Sequence, residues 1–161
     1  MSKDREYMAI ALDEARLAMD SGEVPVGAVL IDDEGGVVVR AHNLRETERD
    51  ATAHAEIMAI RDACQRLSRW RLSGCTLYVT LEPCPMCAGA IVLARIGTVV
   101  WGVDDPKRGG GTTFGIFAHS GINHHPEIVR GVMEEPCRSV LQSFFRARRL
   151  EARNGNEETM Q

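Results

Sequence analysis

Two short stretches of the chain, thirty residues apart, most constrain how it can fold. The first is His54-Ala55-Glu56 and the second is Pro83-Cys84-Pro85-Met86-Cys87. A C-x-x-C spacing lets two sulfurs reach one ion, and an imidazole is a common third ligand. Three protein ligands leave tetrahedral Zn²⁺ with one open position, which is typical of a catalytic rather than a closed structural site. The fold must therefore bring His54, Cys84 and Cys87 together, with Glu56 beside the open position.

The spacing of these residues indicates that the site lies at the start of two helices. Residues at i and i+2 do not share a helix face, so His54 and Glu56 cannot both face one ion from the middle of a helix. The apolar pattern that follows them predicts a helix, and we expect the pair in its first turn, with Thr52 or Asp50 as the cap. Pro85 suits the first turn of a second helix. The positive ends of both helices would favour thiolates at the metal.

Each part of this pattern has an ordinary explanation when it stands alone. A C-x-x-C pair also occurs in redox sites and as half of a structural zinc site. A single histidine at a helix start is commonly a cap, and a single glutamate there commonly answers the helix dipole. A structural zinc site would need a fourth ligand. The other cysteines lack paired ligand spacing and are expected to be small buried residues: Cys64, Cys75 and Cys137.

Hydrophobic periodicity predicts an α/β domain with helices on both sides of a mixed sheet. A strand, a helix and a strand follow one another after residue 75, which implies a crossover with parallel pairing. Earlier, turn residues between two apolar runs predict a hairpin. We expect one domain over residues 1–152 and a disordered tail over residues 153–161. The expected helices cover 4–20, a segment from His54, 85–95 and 136–152, and the expected strands cover 24–31, 37–39, 75–81, 97–103 and 128–133.

Composition narrows the class of protein further. Hydrophobic residues make up 44% and charged residues 26% of the chain, as in an ordinary soluble globule. We see neither a signal peptide nor a membrane span, and an odd number of cysteines favours a reducing compartment, so the cytoplasm is expected. A net charge of −4 argues against a generic nucleic-acid binder. Local basic clusters remain, although each also suits a solvated surface: Arg66, Arg69 and Arg71; Lys107 and Arg108; Arg146, Arg148 and Arg149.

From about Glu6 to Leu150 the chain resembles the bacterial tRNA-specific adenosine deaminases of the cytidine-deaminase-like superfamily. H-x-E followed by P-C-x-x-C is the signature of zinc-dependent nucleobase deaminases. Because many deaminases share this core, the Phe144-Phe145-Arg146 segment is what favours the tRNA branch. Two departures stand out: Ala51 replaces a proline frequent in the family, and residues 116–125 are harder to align. The segments that carry the resemblance are 23–29, 52–59, 76–90 and 144–149.

The resemblance implies a three-layer α/β/α fold with a five-stranded sheet, one Zn²⁺ per subunit and a homodimer, with no membrane association. It implies hydrolytic deamination of the wobble adenosine to inosine in a tRNA anticodon stem-loop, usually of an arginine tRNA, with release of ammonia. His54, Cys84 and Cys87 would hold the zinc, and Glu56 would transfer protons. The expected substrate contacts are Asn43 to the flipped base, Asp105 near the nucleotide, and Phe145 and Arg149 against flanking nucleotides.

Two other functions stay open from the sequence. A deaminase of a free base or nucleoside, such as cytosine or guanine, would share every core motif. A non-catalytic zinc scaffold that binds RNA is a less favoured reading, because Glu56 is intact and no fourth ligand has suitable spacing.

Overall fold

The computed structural model describes residues 2–159, in which five helices and a short 3-10 turn surround five strands. The helices are α1 (Lys3–Asp20), α2 (Arg45–Glu48), α3 (Ala55–Arg66), α4 (Pro85–Leu93) and α5 (Glu134–Thr159). The strands are β1 (Gly27–Ile31), β2 (Val37–His42), β3 (Thr76–Leu81), β4 (Thr98–Val103) and β5 (Glu127–Arg130), and the 3-10 turn covers Ile116–Ala118.

The strands form one mixed sheet in the order β2-β1-β3-β4-β5. The hairpin of β1 and β2 is antiparallel, and β1 also pairs antiparallel with β3. The strand pairs β3–β4 and β4–β5 are parallel, so the crossover expected through α4 is confirmed. The three-layer α/β/α prediction is also confirmed, because helices cover both faces of the sheet.

Side chains of each central strand alternate between two hydrophobic cores, because successive residues of a strand point to opposite faces. In β1, Ala28 and Leu30 belong to the core under α3 and α4, whereas Val29 and Ile31 belong to the core under α1. Both faces of β1 are fully covered, and all five of its residues are buried. This burial explains why the sequence of β1 is apolar throughout rather than alternating.

Four strands, β2, β3, β4 and β5, end at one edge of the sheet, and the ends of the first three position the candidate site. The antiparallel hairpin makes β2 run in the same direction as β3, and β4 is parallel to β3. The residues after their carboxyl ends are Asn43, Glu82 and Asp104. Helices α3 and α4 begin at the same edge, so polar side chains and helix N-termini converge there.

Several boundaries differ from the sequence-based expectation. Strand β1 begins at Gly27 rather than residue 24, and β5 ends at Arg130, because Gly131 turns the chain with φ of +79°. Helix α5 begins at Glu134 rather than Pro136, since a proline is accepted within the first turn of a helix.

The expected disordered tail is also different: α5 continues to Thr159 instead of ending near Ala152. Residues 150–158 are exposed and contain no proline, so nothing in this segment breaks the helical hydrogen-bond pattern. Met1, Met160 and Gln161, which belong to the expected domain and tail, lie outside the described residues.

Two short elements were not expected. Helix α2 lies in the polar stretch after β2, and the 3-10 turn lies in the long segment expected to be a loop. Both are too short for hydrophobic periodicity to reveal. Over residues 2–159, no helix has the length and apolar character needed to cross a membrane.

Candidate active site

The three expected metal ligands lie at the starts of two helices. His54 is the N-cap of α3 and Cys84 is the N-cap of α4, each with an extended backbone. Pro85 is the first residue of α4, as expected, because its missing N–H has no helical partner at that position. Cys87 lies one turn into α4 and is fully buried. Both helix N-termini therefore place their positive partial charge beside the donor atoms.

The spacing of the donor atoms fits a tetrahedral zinc ion. Nδ1 of His54 lies 3.6 Å from Sγ of Cys84 and 3.5 Å from Sγ of Cys87. Typical Zn–S and Zn–N bond lengths at a tetrahedral angle give an N···S separation of about 3.6 Å. All three donor atoms lie within 4.8 Å of one another. The residues thus match zinc in donor chemistry and in spacing.

The two thiols have opposite protonation tendencies. The pKa of Cys84 is lowered to about 4, chiefly because the Cys87 thiol donates a hydrogen bond to the Cys84 thiolate, and burial only partly opposes this. The pKa of Cys87 is raised for the same reason, and burial adds to the effect. The hydrogen bond with Cys84 also raises the pKa of His54. The cysteine pair thus shares one proton, which a divalent cation would displace.

Glu56 is the carboxylate of this site. It lies in the first turn of α3 and is 3% exposed. Burial raises its pKa to about 7, against the smaller opposing effects of its own backbone N–H and of His54. A carboxyl group with a pKa near neutrality can both accept and donate a proton at physiological pH, as an acid–base catalyst must.

The cap of α3 is not one of the residues expected from the sequence. Asp50 and Thr52 bond to each other, with Oδ1 of Asp50 accepting from the backbone N–H of Thr52 at 2.8 Å. His54 is the N-cap residue itself, and it is Oδ1 of Asn43 that accepts from the first N–H of the helix, that of Ala55, at 2.8 Å. This bond ties the end of β2 to the start of α3. The polar side chains nearest along the chain are therefore not the ones that bond the first N–H of α3.

A cavity of about 760 Å³ reaches the donor group, and its walls include His54, Glu56 and Cys84. All four residues expected to contact substrate also line it: Asn43, Asp105, Phe145 and Arg149. Their surroundings differ. Asn43 is buried and Asp105 accepts hydrogen bonds from the N–H groups of Lys107 and Arg108. Phe145 is 46% exposed, whereas its neighbour Phe144 is buried.

Other residues of the cavity were not singled out from the sequence. Glu82 and Asp104 follow the ends of β3 and β4, and a carboxylate directly before the Pro-Cys motif was the available signal for Glu82. The walls also carry positive charge. Among the described residues, four arginines of the cavity form no ion pair: Arg45, Arg108, Arg146 and Arg149.

The remaining cysteines lie away from the donor group. Cys75 and Cys137 are buried, as expected for small core residues, and burial raises the pKa of both thiols. Cys64 is only partly buried, contrary to expectation, and its thiol faces the carbonyl oxygen of Trp70. Within residues 2–159, the donor group consists of His54, Cys84 and Cys87 and has no fourth member.

Comparison with known families agrees with this geometry. Residues 1–103 match the cytidine and deoxycytidylate deaminase zinc-binding region. This match covers more than half of the chain and includes every member of the donor group and Glu56.

Individual relatives indicate which branch of this family the chain belongs to. The chain is 53% identical to a Bacillus subtilis tRNA-specific adenosine deaminase over 91% of both chains. It is 45% identical to an Agrobacterium fabrum tRNA-specific adenosine deaminase, over 94% of this chain and 99% of that one. A solved structure from a study of A-to-I editing by tRNA:A34 deaminases superposes with a TM-score of 0.82 at 44% identity, covering 84% of this chain and 99% of that chain. The chain therefore belongs to the zinc-binding cytidine and deoxycytidylate deaminase family and, within it, to the bacterial tRNA-specific adenosine deaminases.

Proposed function

We propose that this enzyme converts adenosine to inosine at the wobble position of a tRNA anticodon, usually of an arginine tRNA, and releases ammonia. The deamination chemistry is supported by one observation: His54, Cys84 and Cys87 lie together as metal donors, and the buried Glu56 lies beside them. The named relatives, which are tRNA-specific deaminases, support the choice of substrate. The similar solved structure, which comes from a study of A-to-I editing by tRNA:A34 deaminases, supports position 34.

The donor group would hold one Zn²⁺ per subunit through Nδ1 of His54 and the sulfurs of Cys84 and Cys87. When bound, zinc lowers the pKa of a water molecule so that it becomes a nucleophile near neutral pH. Glu56 would accept a proton from the attacking water and deliver it to N1 of adenine, while the water oxygen bonds to C6. Glu56 would then carry the remaining proton of that oxygen to the amino group, so that the C6 carbonyl forms, the C6–N bond breaks and ammonia leaves.

The cavity residues would hold the flipped nucleotide. Asn43 caps α3 through its Oδ1, which leaves its amide N–H groups for an acceptor on the base. Asp105 would lie near the nucleotide, and Phe145 and Arg149 would stack on or clamp its neighbours. An adjoining cavity of about 250 Å³ shares Asn43 and Phe145 with the first, and offers space for a flanking nucleotide. An anticodon loop suits this site, because its bases are already unpaired.

We further propose a homodimer in the cytoplasm. Helix α4 exposes Met86 at 37% and Leu93 at 70%, and the neighbouring loop exposes Phe114 at 57%. Apolar side chains grouped on one layer are suited to a second copy of the chain. A reducing compartment would keep the thiol ligands free to bind metal. All catalytic parts lie within residues 1–152, which we propose as the deaminase domain.

The test is incubation of bulk tRNA with the purified enzyme, followed by sequencing of the cDNA. Inosine is read as guanosine, so we expect A-to-G changes confined to position 34 of an arginine tRNA. Free bases, nucleosides and tRNA are compared in parallel by ammonia release. Glu56→Ala is the control: we expect full zinc content and turnover lower by a factor of about 10² or more.

Two outcomes would contradict the proposal. Ammonia release from free guanine or cytosine, with tRNA unchanged, would favour a base deaminase. Turnover retained in Glu56→Ala would remove Glu56 from the reaction.

A further inference from the structure

Glu82 is a buried carboxylate that the proposed reaction does not use. It directly precedes Pro83 and the metal ligand Cys84, and it is 3% exposed. Its Oε1 accepts from the N–H of Asp105 at 3.0 Å, and its Oε2 accepts from the N–H of Gly111 at 3.0 Å and of Thr112 at 2.7 Å. The Thr112 hydroxyl lies 2.7 Å from Oε1 and 3.0 Å from Oε2. With both oxygens occupied by protein donors, Glu82 is better suited to hold a loop than to contact substrate.

The loop held by Glu82 forms one wall of the cavity. It carries Asp105 and Arg108, both of which line the space beside the donor group. The carboxylate of Asp105 accepts in turn from the N–H of Arg108 at 3.1 Å. The position of Asp105 therefore depends on Glu82 through its own backbone N–H, and the position of Arg108 depends on Asp105.

The loop also packs closely against the metal-binding segment. The N–H of Gly110 donates to the carbonyl of Pro83 at 2.7 Å. A Cβ at Gly109 would lie 2.4 Å from Oε2 of Glu82, and one at Gly110 would lie 2.7 Å from Cβ of Ala88. Glycine is thus the residue that allows backbone and carboxylate to approach so closely.

We propose that Glu82 is a positioning residue that fixes the loop of residues 104–113 relative to Cys84, and thereby sets where Asp105 meets the nucleotide. The inference rests on the proposed tRNA deaminase function for its substrate readout. Its structural part, the anchoring of the loop, is tested without RNA.

The variant Glu82→Gln keeps the size of the side chain but turns one acceptor into a donor. Whichever way the amide is oriented, its NH₂ group faces at least one backbone N–H. The hydrogen bonds that one of the two carboxylate oxygens accepted are therefore lost. In the zinc-loaded protein we expect hydrogen exchange of peptides covering 104–113 to rise about tenfold, with zinc content unchanged. With an anticodon stem-loop RNA we expect KM to rise about tenfold and kcat to change less than threefold.

Tyr78→Phe is the matched control. It removes the 2.7 Å hydrogen bond from the Tyr78 hydroxyl to Asp4, on the face of the sheet opposite the cavity. We expect it to lower stability without raising exchange in residues 104–113 or KM. If Tyr78→Phe raised hydrogen exchange in residues 104–113 and KM as much as Glu82→Gln did, Glu82 would contribute only to general stability. This result would overturn the proposal.

A double-mutant cycle separates positioning from independent effects. If Glu82 acts through Asp105, Asp105→Ala should lower kcat/KM clearly less in the Glu82→Gln background than in the wild type. Additive losses, within about twofold, would overturn the proposal. Gly109→Ala should reproduce the exchange change, because its Cβ would displace the carboxylate of Glu82. Gly97→Ala, whose Cβ would come no closer than 3.5 Å to other atoms, should not.

The two proposals fail differently. A wild-type enzyme that does not act on the stem-loop contradicts the proposed function. Hydrogen exchange in residues 104–113 still tests whether Glu82 anchors the loop. Unchanged exchange and KM in Glu82→Gln, with an active wild type, contradict the anchor alone.

Discussion

Cys84 and Cys75 carry the same side chain in opposite electrostatic surroundings. Cys84 caps a helix and accepts a hydrogen bond from Cys87, which lowers its pKa to about 4. Cys75 lies 1% exposed in the apolar core, where burial raises its pKa. The first is a thiolate at neutral pH and suits a metal ion, whereas the second is an uncharged thiol that fills space.

We therefore expect Cys84→Ser and Cys75→Ser to differ in zinc content. Loss of Cys84 would remove one of the three proposed ligands. We expect it to weaken zinc binding by more than the roughly 10- to 100-fold typical of losing a residue that only supports a ligand. Cys75→Ser should keep its zinc and lose on the order of 1–3 kcal/mol of stability, because a hydroxyl is buried among apolar groups. Zinc is measured by mass spectrometry after dialysis against a weak chelator. Full occupancy in Cys84→Ser would remove it from the ligand set.

At the scale of elements, Asp104 links the ends of β4 and β5. Its carboxylate accepts from Nε1 of Trp101 at 2.7 Å and pairs with the guanidinium of Arg130. Arg130 is the main reason that the pKa of Asp104 is lowered, with the Trp101 bond as a further cause. The side chains of Arg130 and Asp104 are 54% and 41% exposed, so solvent screens the attraction between their charges.

This pair should contribute a stability that depends on pH. Because the pKa of Asp104 is lower in the folded state, the contribution is complete above the unfolded pKa of about 3.9 and is lost as pH falls through the folded pKa. Asp104→Asn keeps an acceptor for Trp101 but removes the charge. We expect it to cost less than about 1 kcal/mol at pH 7 and nothing at about pH 2. Urea unfolding at several pH values measures the difference, and a constant difference would exclude the ion pair as its cause.

At the scale of the whole molecule, both helical layers expose large apolar side chains. Helix α4 exposes Met86, next to the candidate ligand Cys87, and Leu93 at its far end, whereas α1 on the other layer exposes Leu17 at 51%. A dimer formed through α4 would place two cavities near one interface.

If the proposed homodimer forms through α4, a charge on that helix should separate its subunits. We expect Leu93→Glu to change a dimer into a monomer, because a carboxylate would be buried against apolar side chains. Leu17→Glu makes the same change at a similarly exposed leucine on the opposite layer and should leave the dimer intact. Size-exclusion chromatography with light scattering measures the mass. A wild-type monomer, or a Leu93→Glu dimer, would contradict this interface.

The sequence by itself determined the family and most of the architecture. His54, Cys84 and Cys87 were predicted as ligands because metal ligands have short, regular spacings, and the structure brings them together with Glu56. Pro85 marked a helix start. Alternation of apolar residues predicted the hairpin, the crossover and the covered sheet. These features depend on residues that are near one another along the chain, so local sequence patterns are enough to predict them.

Only the tertiary structure decided what surrounds the ligands. Asn43, twelve residues before its partner Ala55, replaced the local caps expected for α3. Glu82, in the wall of the cavity, reaches Thr112 across thirty residues. Such contacts arise because strands that are distant in sequence end at one edge of the sheet, and no periodicity along the chain records which side chains meet there.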